Sequence, residues 1–171
     1  MKRLAILLSG SFIILGLLGL AGARVNTSPS LPIGLYWQAQ HPVTQGSLVW
    51  FCPPKTPVIA IARERGYLDV GTCASGTRPL LKQVVATSGD LIEISQGATR
   101  VNGRNLPSSA QVIADPQGQP LPPYQAKRTL GQDQVLLMAL DHPRSFDGRY
   151  FGPIETRLIQ GTLRPLWVWS P

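Results

Sequence analysis

The sequence predicts a mainly β domain tethered to a membrane by one N-terminal helix. Three observations point there. Sixteen prolines and seventeen glycines in 171 residues interrupt the chain too often for a helical protein and suit short strands joined by turns. An almost unbroken apolar run, Leu4 to Ala23, opens the chain. No internal repeat divides residues 24–171, which read as one domain with enough chain for a core.

The N-terminal run comes first. Twenty residues at about 1.5 Å rise span roughly 30 Å, the thickness of a bilayer core. Lys2 and Arg3 precede it and place the N-terminus in the cytoplasm, with the remainder on the far side. Residues 1–23 are therefore expected to be a retained transmembrane anchor. Ala21-Gly22-Ala23 also has the small residues of a cleavage site, so a removable signal peptide is the alternative. Both readings export residues 24–171.

Charge and cysteine content fit that address. Charged residues make up 15% of the chain, yet the net charge is +7. The basic residues are scattered, without the Lys/Arg blocks or interleaved aromatics of a nucleic-acid surface. They read as a solvated face suited to anionic headgroups, and nucleic acid is not expected as a partner. The two cysteines, Cys52 and Cys73, have neither the spacing nor the histidines of a zinc site, and no metal is expected. In an oxidising compartment a single disulfide is the simple outcome, and two buried thiols are the alternative. A bridge would close an insert over residues 52–73, worth on the order of 3 kcal/mol by chain entropy. Within it, Val58 to Arg65 suits a short helix ended by Gly66.

The other elements are taken in chain order. Gly34 to Gln38 and Ser47 to Phe51 read as strands, the second stopped by Pro53-Pro54. Pro79 to Ala86 is the most strand-like run, and after a turn Leu91 to Ile94 reads as another strand. Arg100 to Leu106 is a small hairpin whose Asn102-Gly103 supplies positive φ. Pro107 to Tyr124 is rich in Pro, Gln and Ser and reads as a loop excursion. Gln134 to Leu140 reads as a core strand and Asp141 to Pro153 as polar turn. Ile159 to Trp169 closes the domain, and Pro165 inside it suggests an edge strand or a bend.

Three stretches have the makings of a catalytic site. In Ser28-Pro29-Ser30-Leu31-Pro32, the prolines fix φ on either side of Ser30 and hold the residues before them extended. Such stiffness suits a nucleophile held ready for attack, and equally a plain loop entering the first strand. Lys82 is the one lysine of four that lies inside an apolar strand, on the face of Leu80, Val84 and Ala86 by period-two alternation. Desolvation disfavours the ammonium, and a lysine tuned to about 7–8 is a competent general base. The plainer alternative is a lysine that snorkels to water. Ser145, Asp147 and Arg149 alternate, so an extended segment would present them on one face. Asp147 and Arg149 can pair there, as a surface turn would also allow.

In this order the three stretches resemble the type I signal peptidase family of Ser/Lys proteases, most closely its TraF-type conjugative-transfer branch. Ser30-Leu31-Pro32-Ile33-Gly34-Leu35-Tyr36 is similar to the nucleophile box, Leu81-Lys82-Gln83-Val84-Val85-Ala86 with Gly89-Asp90 to the lysine box, and Ser145 to Gly152 to the C-terminal box. Gly161 to Trp167 is similar as well. Leu31 comes after the serine where general signal peptidases carry Met, and Pro32 comes one residue early. Gly148 stands where relatives often have Ser.

The resemblance implies a signal peptidase-like β-fold with one or two short helices. It implies Ser30 as nucleophile and Lys82 as general base, with the Ser30 N–H and the Ser28 hydroxyl as oxyanion donors. Ser145 would orient the Lys82 amine, and Asp147 with Arg149 would hold Ser145. It implies a disulfide between Cys52 and Cys73, and neither metal nor cofactor. The implied substrates are exported precursors such as conjugative pilins, with small residues first and third before the cut and with cyclisation as one fate. The implied partners are the membrane and the conjugation machinery. Rival readings are a general preprotein peptidase, a non-catalytic pilus-assembly protein, and a Ser-His hydrolase using His142 beside Asp141. Neighbours in a strand point apart, which weakens the last.

Overall fold

The computed structural model describes residues 16–17 and 19–169. The apolar run Leu4 to Ala23 lies largely outside them. Among the described residues no helix is long and apolar enough to cross a membrane.

Among the described residues, eleven strands form two sheets. The first sheet has the order β1 (Ala23–Asn26), β2 (Ile33–Ala39), β11 (Ile159–Trp169), β3 (Leu48–Phe51), β4 (Leu80–Ala86), β9 (Gln134–Met138) and β10 (Ile154–Glu155). The second runs β7 (Arg104–Asn105), β6 (Thr99–Val101), β5 (Leu91–Ile94), β8 (Ala126–Thr129). Helix α1 spans Pro57–Glu64 and helix α2 only Gly148–Phe151. The expected mainly β chain with two short helices is what forms.

Each sheet has a core on one side, and β9 is the wall between them. Its residues alternate: Leu137 joins Val49, Phe51, Val84 and Tyr150, while Leu136 and Met138 join Ile92, Ile94 and Val101. Strand β4 changes core part-way, because its register against β9 slips between Val84 and Ala86. Ala86 therefore packs with Val85 in the second core and does not share the core of Val84, as strict alternation would have it.

Pro165 marks a bend and not an edge. Strand β11 is paired on both sides, with β2 and β3. Pairing with β3 ends at Leu163, so Pro165 lies beyond the ladder that its missing N–H would have broken. The register against β2 slips between Pro165 and Trp167. The Asn102-Gly103 turn has φ of 50° and 79°, as a tight hairpin requires. Strands β1, β8 and β10 form where the sequence pattern marks no strand.

The edge strand β1 leads straight into the Ser28–Pro32 loop, and β2 leads out of it. Lys82 lies opposite Val49 in the middle of the same sheet. The sheet thus brings the first and second sequence stretches to one end of the first core.

Candidate active site

Lys82 occupies a buried position, 3% exposed, in the half of β4 that pairs with β3. Its Nζ donates to Ser145 Oγ at 2.9 Å, and Ser145 Oγ donates in turn to Ser30 Oγ at 3.5 Å. Three groups distant in sequence thus meet in one file, with Ser145 between lysine and serine. Burial lowers the Lys82 pKa to about 8, with the Asp147 carboxylate opposing and the Arg149 guanidinium reinforcing that shift. A buried amine that titrates near 8 is neutral for a useful fraction of the time at neutral pH, which an exposed lysine is not.

Asp147 and Arg149 are both completely buried, so their pair is no surface turn. The segment is not extended through these residues, as alternation suggested. Asp147 caps α2, accepting from the Arg149 backbone N–H, and its second oxygen accepts from Ala139 N–H at 2.9 Å. The Arg149 guanidinium bridges Asp147 and four backbone carbonyls, those of Ser108, Ala110, Pro143 and Ala139. This satisfies the charge that burial would otherwise penalise. Asp147 makes no hydrogen bond to Ser145. Its bonds instead go to the backbone on either side of Ser145, at Ala139 and Arg149.

The serine side is organised by Asn26, a residue that sequence reasoning missed. Asn26 ends β1 and is 4% exposed. Its Nδ2 reaches the carbonyls of Ser28 and Leu31 at 2.9 Å and of Pro32 at 3.2 Å. Its Oδ1 accepts from Ser28 N–H at 3.1 Å and Ser28 Oγ at 3.0 Å. One amide thereby closes the whole loop that carries Ser30, and Tyr36 Oη adds a bond to Pro32 O at 2.6 Å. The Asn-x-Ser spacing at 26–28 is the signal that marks such a turn. The Ser28 hydroxyl proton is engaged by Asn26, so serving an oxyanion would require Ser28 to rotate away.

A model of the family described as signal peptidase, peptidase S26, matches residues 3–169. The chain belongs to this family. It is 45% identical to a plasmid transfer protein TraF of Escherichia coli over 98% of this chain and 96% of the relative. It is 36% identical to a conjugal transfer protein TraF of Agrobacterium tumefaciens (strain 15955), over 99% and 98%. The resemblance to the TraF-type branch is thus shown. A crystal structure of a signal peptidase I from Enterococcus faecalis V583 superposes with a TM-score of 0.42 at 15% identity, covering 74% of this chain and 100% of that one.

Within this family frame the departures have local causes. A Cβ on Gly148 would stand 2.6 Å from Leu137 O, so the serine that relatives often carry has no room here. Leu31 is buried beneath the loop. Cys52 and Cys73 are bridged. His142 lines the space beside Ser30, but its Nδ1 is buried without a partner, so Asp141 does not orient the ring. That removes the support a Ser-His pair needs. Among the described residues no cluster of His, Cys, Asp and Glu has the arrangement of a metal site.

Among the described residues, two strand edges without a neighbour line a space that Ser30 also walls. Strand β1 pairs only with β2, and Leu80 to Lys82 pair with β3 but not with β9. Between these edges lies a cleft of about 280 Å³ whose walls include Val25, Ser28, Ser30, Leu81 and Lys82. Asp69 and Arg78 form an exposed pair at its rim.

Proposed function

We propose that this chain is a membrane-associated serine endopeptidase working through a Ser30/Lys82 dyad. The observation that carries the reading is the file Lys82–Ser145–Ser30, with its buried amine titrating near 8. A buried lysine with no chemical task is a liability, and replacement by an apolar residue would ordinarily be tolerated better. Family membership supplies peptidase chemistry as the setting.

The substrate enters the cleft extended, adding a strand between β1 and the free edge of β4. Ser30 Oγ attacks the scissile carbonyl as neutral Lys82 takes its proton through the Ser145 hydroxyl, which lies between them. Ser145, bonded to the amine, holds Nζ in place. The oxyanion is held by the Ser30 N–H and by the Ser28 hydroxyl once it turns from Asn26, a donor worth about 3 kcal/mol in such sites. The C–N bond breaks, and Lys82 returns its proton to the departing amine. Water then attacks the ester with Lys82 as base, releasing the acid and restoring Ser30. A substrate amine attacking in place of water would join the chain ends into a ring. These steps need no metal or cofactor.

Residues 1–23 act as the anchor and 24–171 as the catalytic domain, on the outer side of the cytoplasmic membrane. An exposed apolar face supports that position. Ile33, Leu166, Trp167 and Trp169 are exposed at adjoining ends of β2 and β11, with the two indoles stacked at 5.8 Å. Trp169 and Ile33 also wall a cavity with Pro29 and Leu31 of the nucleophile loop. Aromatic groups of this kind favour the bilayer interface. The relatives' names point to plasmid and conjugal transfer, and the resemblance to the TraF-type branch makes an exported pilin precursor the proposed substrate.

Mass spectrometry of such a precursor incubated with the full chain and with Ser30→Ala tests the reading. Cleavage by the first and not the second is expected. Equal cleavage, or an unchanged precursor in both, would defeat it and favour a pilus-assembly role.

A further inference from the structure

Ser30 and Ser28 also wall a second cavity, again of about 280 Å³, which shares Tyr67 and Phe146 with the cleft and includes Ser145 in its lining. No step above places a substrate group in it. Its floor is the stacked pair Phe146 and Tyr150, with ring centroids 5.2 Å apart and planes 4° from parallel. Val112 and Leu121, from the Pro- and Gln-rich excursion between β7 and β8, line it as well.

That excursion is tied down at several points. Asp115 accepts from Tyr67 Oη, a residue of the disulfide-closed insert, and also from Gln117 and Gln119 N–H. Arg65 Nη1 donates to Pro120 O at 2.8 Å, and Val112 N–H donates to Tyr150 Oη at 2.9 Å. Gln111 Nε2 donates to Tyr124 O at 2.7 Å. A long irregular segment fixed this thoroughly, beside a nucleophile, is built to shape something.

We infer that this cavity receives the side chain of the residue immediately after the scissile bond, and that Leu121 and Tyr67 set its preference for an apolar group over a basic one. The inference rests on the peptidase reading above. Cleavage at Ser30 divides the substrate, and the two halves run in opposite directions from the serine. The cleft between strand edges offers the backbone pairing that retains the acyl half. The released half then takes the second cavity that Ser30 walls, whose Val112, Leu121 and Tyr150 the cleft lacks. Beyond Ser28, Ser30 and Ser145 its walls are mainly aromatic and aliphatic. Its acid, Asp115, is already engaged by three donors. A basic side chain would lose its hydration there without gaining a partner, whereas an acidic one would meet the exposed Arg144.

The test uses the full chain in detergent micelles and synthetic peptides with Ala first and third before the cut. The residue after the cut is varied among Ala, Leu, Phe, Asp and Lys. Wild type is expected to favour Leu and Phe over Lys in kcat/KM by about tenfold, and to accept Asp better than Lys. Leu121→Trp, which fills the space, should lower the Phe-to-Ala ratio by about tenfold. Leu121→Ala, which enlarges it, should raise that ratio. Tyr67→Phe keeps the wall but unties Asp115, and should flatten the preference. The ratio is internal to each variant, so a loss of folded protein does not imitate the result. Unchanged ratios in both Leu121 variants, or a shift confined to the residue before the cut, would overturn the inference while leaving the peptidase reading intact. Peptides that Ser30→Ala cleaves as well as wild type would overturn both.

Discussion

Lys82 and Ser145 stand on groups that water does not reach, whereas Ser30 and Ser28 stand on a loop at the surface. Behind the amine lie a fully buried ion pair and contacts to residues as distant in sequence as Ser108 and Ala139. Behind the nucleophile lies mainly one amide, Asn26, whose partners are all within six residues. In the proposed mechanism the difference matches what each group would have to do. A lysine base needs desolvation, and desolvation requires a core. A nucleophile must meet a peptide arriving from outside, so it is held by short local bonds at the rim.

The largest expected effect on the buried side is that of Lys82→Arg. Arginine keeps the charge but stays protonated at any working pH, so cleavage should fall by about a thousandfold or more. Full retention of activity would show that the buried amine is no base. The rate should also depend on pH: kcat/KM of wild type should rise with a midpoint near 8, where Lys82 loses its proton. A profile flat from pH 6 to 10 would contradict the assignment.

Breaking the buried pair should be mainly a matter of stability. Arg149→Met leaves Asp147 uncompensated in the core and should cost about 3–5 kcal/mol in denaturant unfolding. A cost below about 1 kcal/mol would place the pair at the surface, against its complete burial.

Lys82→Met tests the same burial through linkage. With a folded pKa near 8 against an unfolded 10.5, the native state is penalised below pH 8 and relieved as pH rises to 10.5. Stability of wild type relative to Lys82→Met should therefore climb over that window by at most about 3 kcal/mol. A difference independent of pH would refute the buried ammonium penalty.

On the loop side the expected effect is smaller in stability than that of Arg149→Met and smaller in rate than that of Lys82→Arg. Asn26→Ala should cost about 1–3 kcal/mol in folding, since buried carbonyls lose their donor. It should lower kcat more than it raises KM, because Ser30 and Ser28 are no longer held for attack. A pure KM effect would make Asn26 a substrate contact instead.

Legibility in the sequence shows the same division. Ser30 is marked by its flanking prolines and Lys82 by its apolar strand, because both signals are local. The Asn102-Gly103 hairpin is equally plain. Asn26 is harder to see because all its partners but the Ser28 hydroxyl are backbone groups, which leaves the Asn-x-Ser spacing as its one local sign. Strand β8 reads Ala126-Lys127-Arg128-Thr129 and has no buried residue to reveal it. Its pairing with β5 is supplied by the fold. The burial of Asp147 and Arg149 escapes the sequence for a related reason. Two charges two residues apart resemble a surface turn until the carbonyls of Ser108, Ala110 and Pro143 arrive from elsewhere.

Gly34 carries a consequence for the genetics of this chain. It sits in β2 just after the nucleophile loop, opposite Val168 of the bulged end of β11. A Cβ there would stand 2.2 Å from the carbonyl oxygen of Trp167 and 2.7 Å from the Cα of Val168. Those are main-chain atoms, present whatever residue occupies 167 or 168. No exchange of a neighbouring side chain can make room, so a substitution at 34 should have no suppressor among the positions that face it. Selection for revertants of a Gly34→Ala chain should return glycine itself, or changes that shift the course of β11 as a whole.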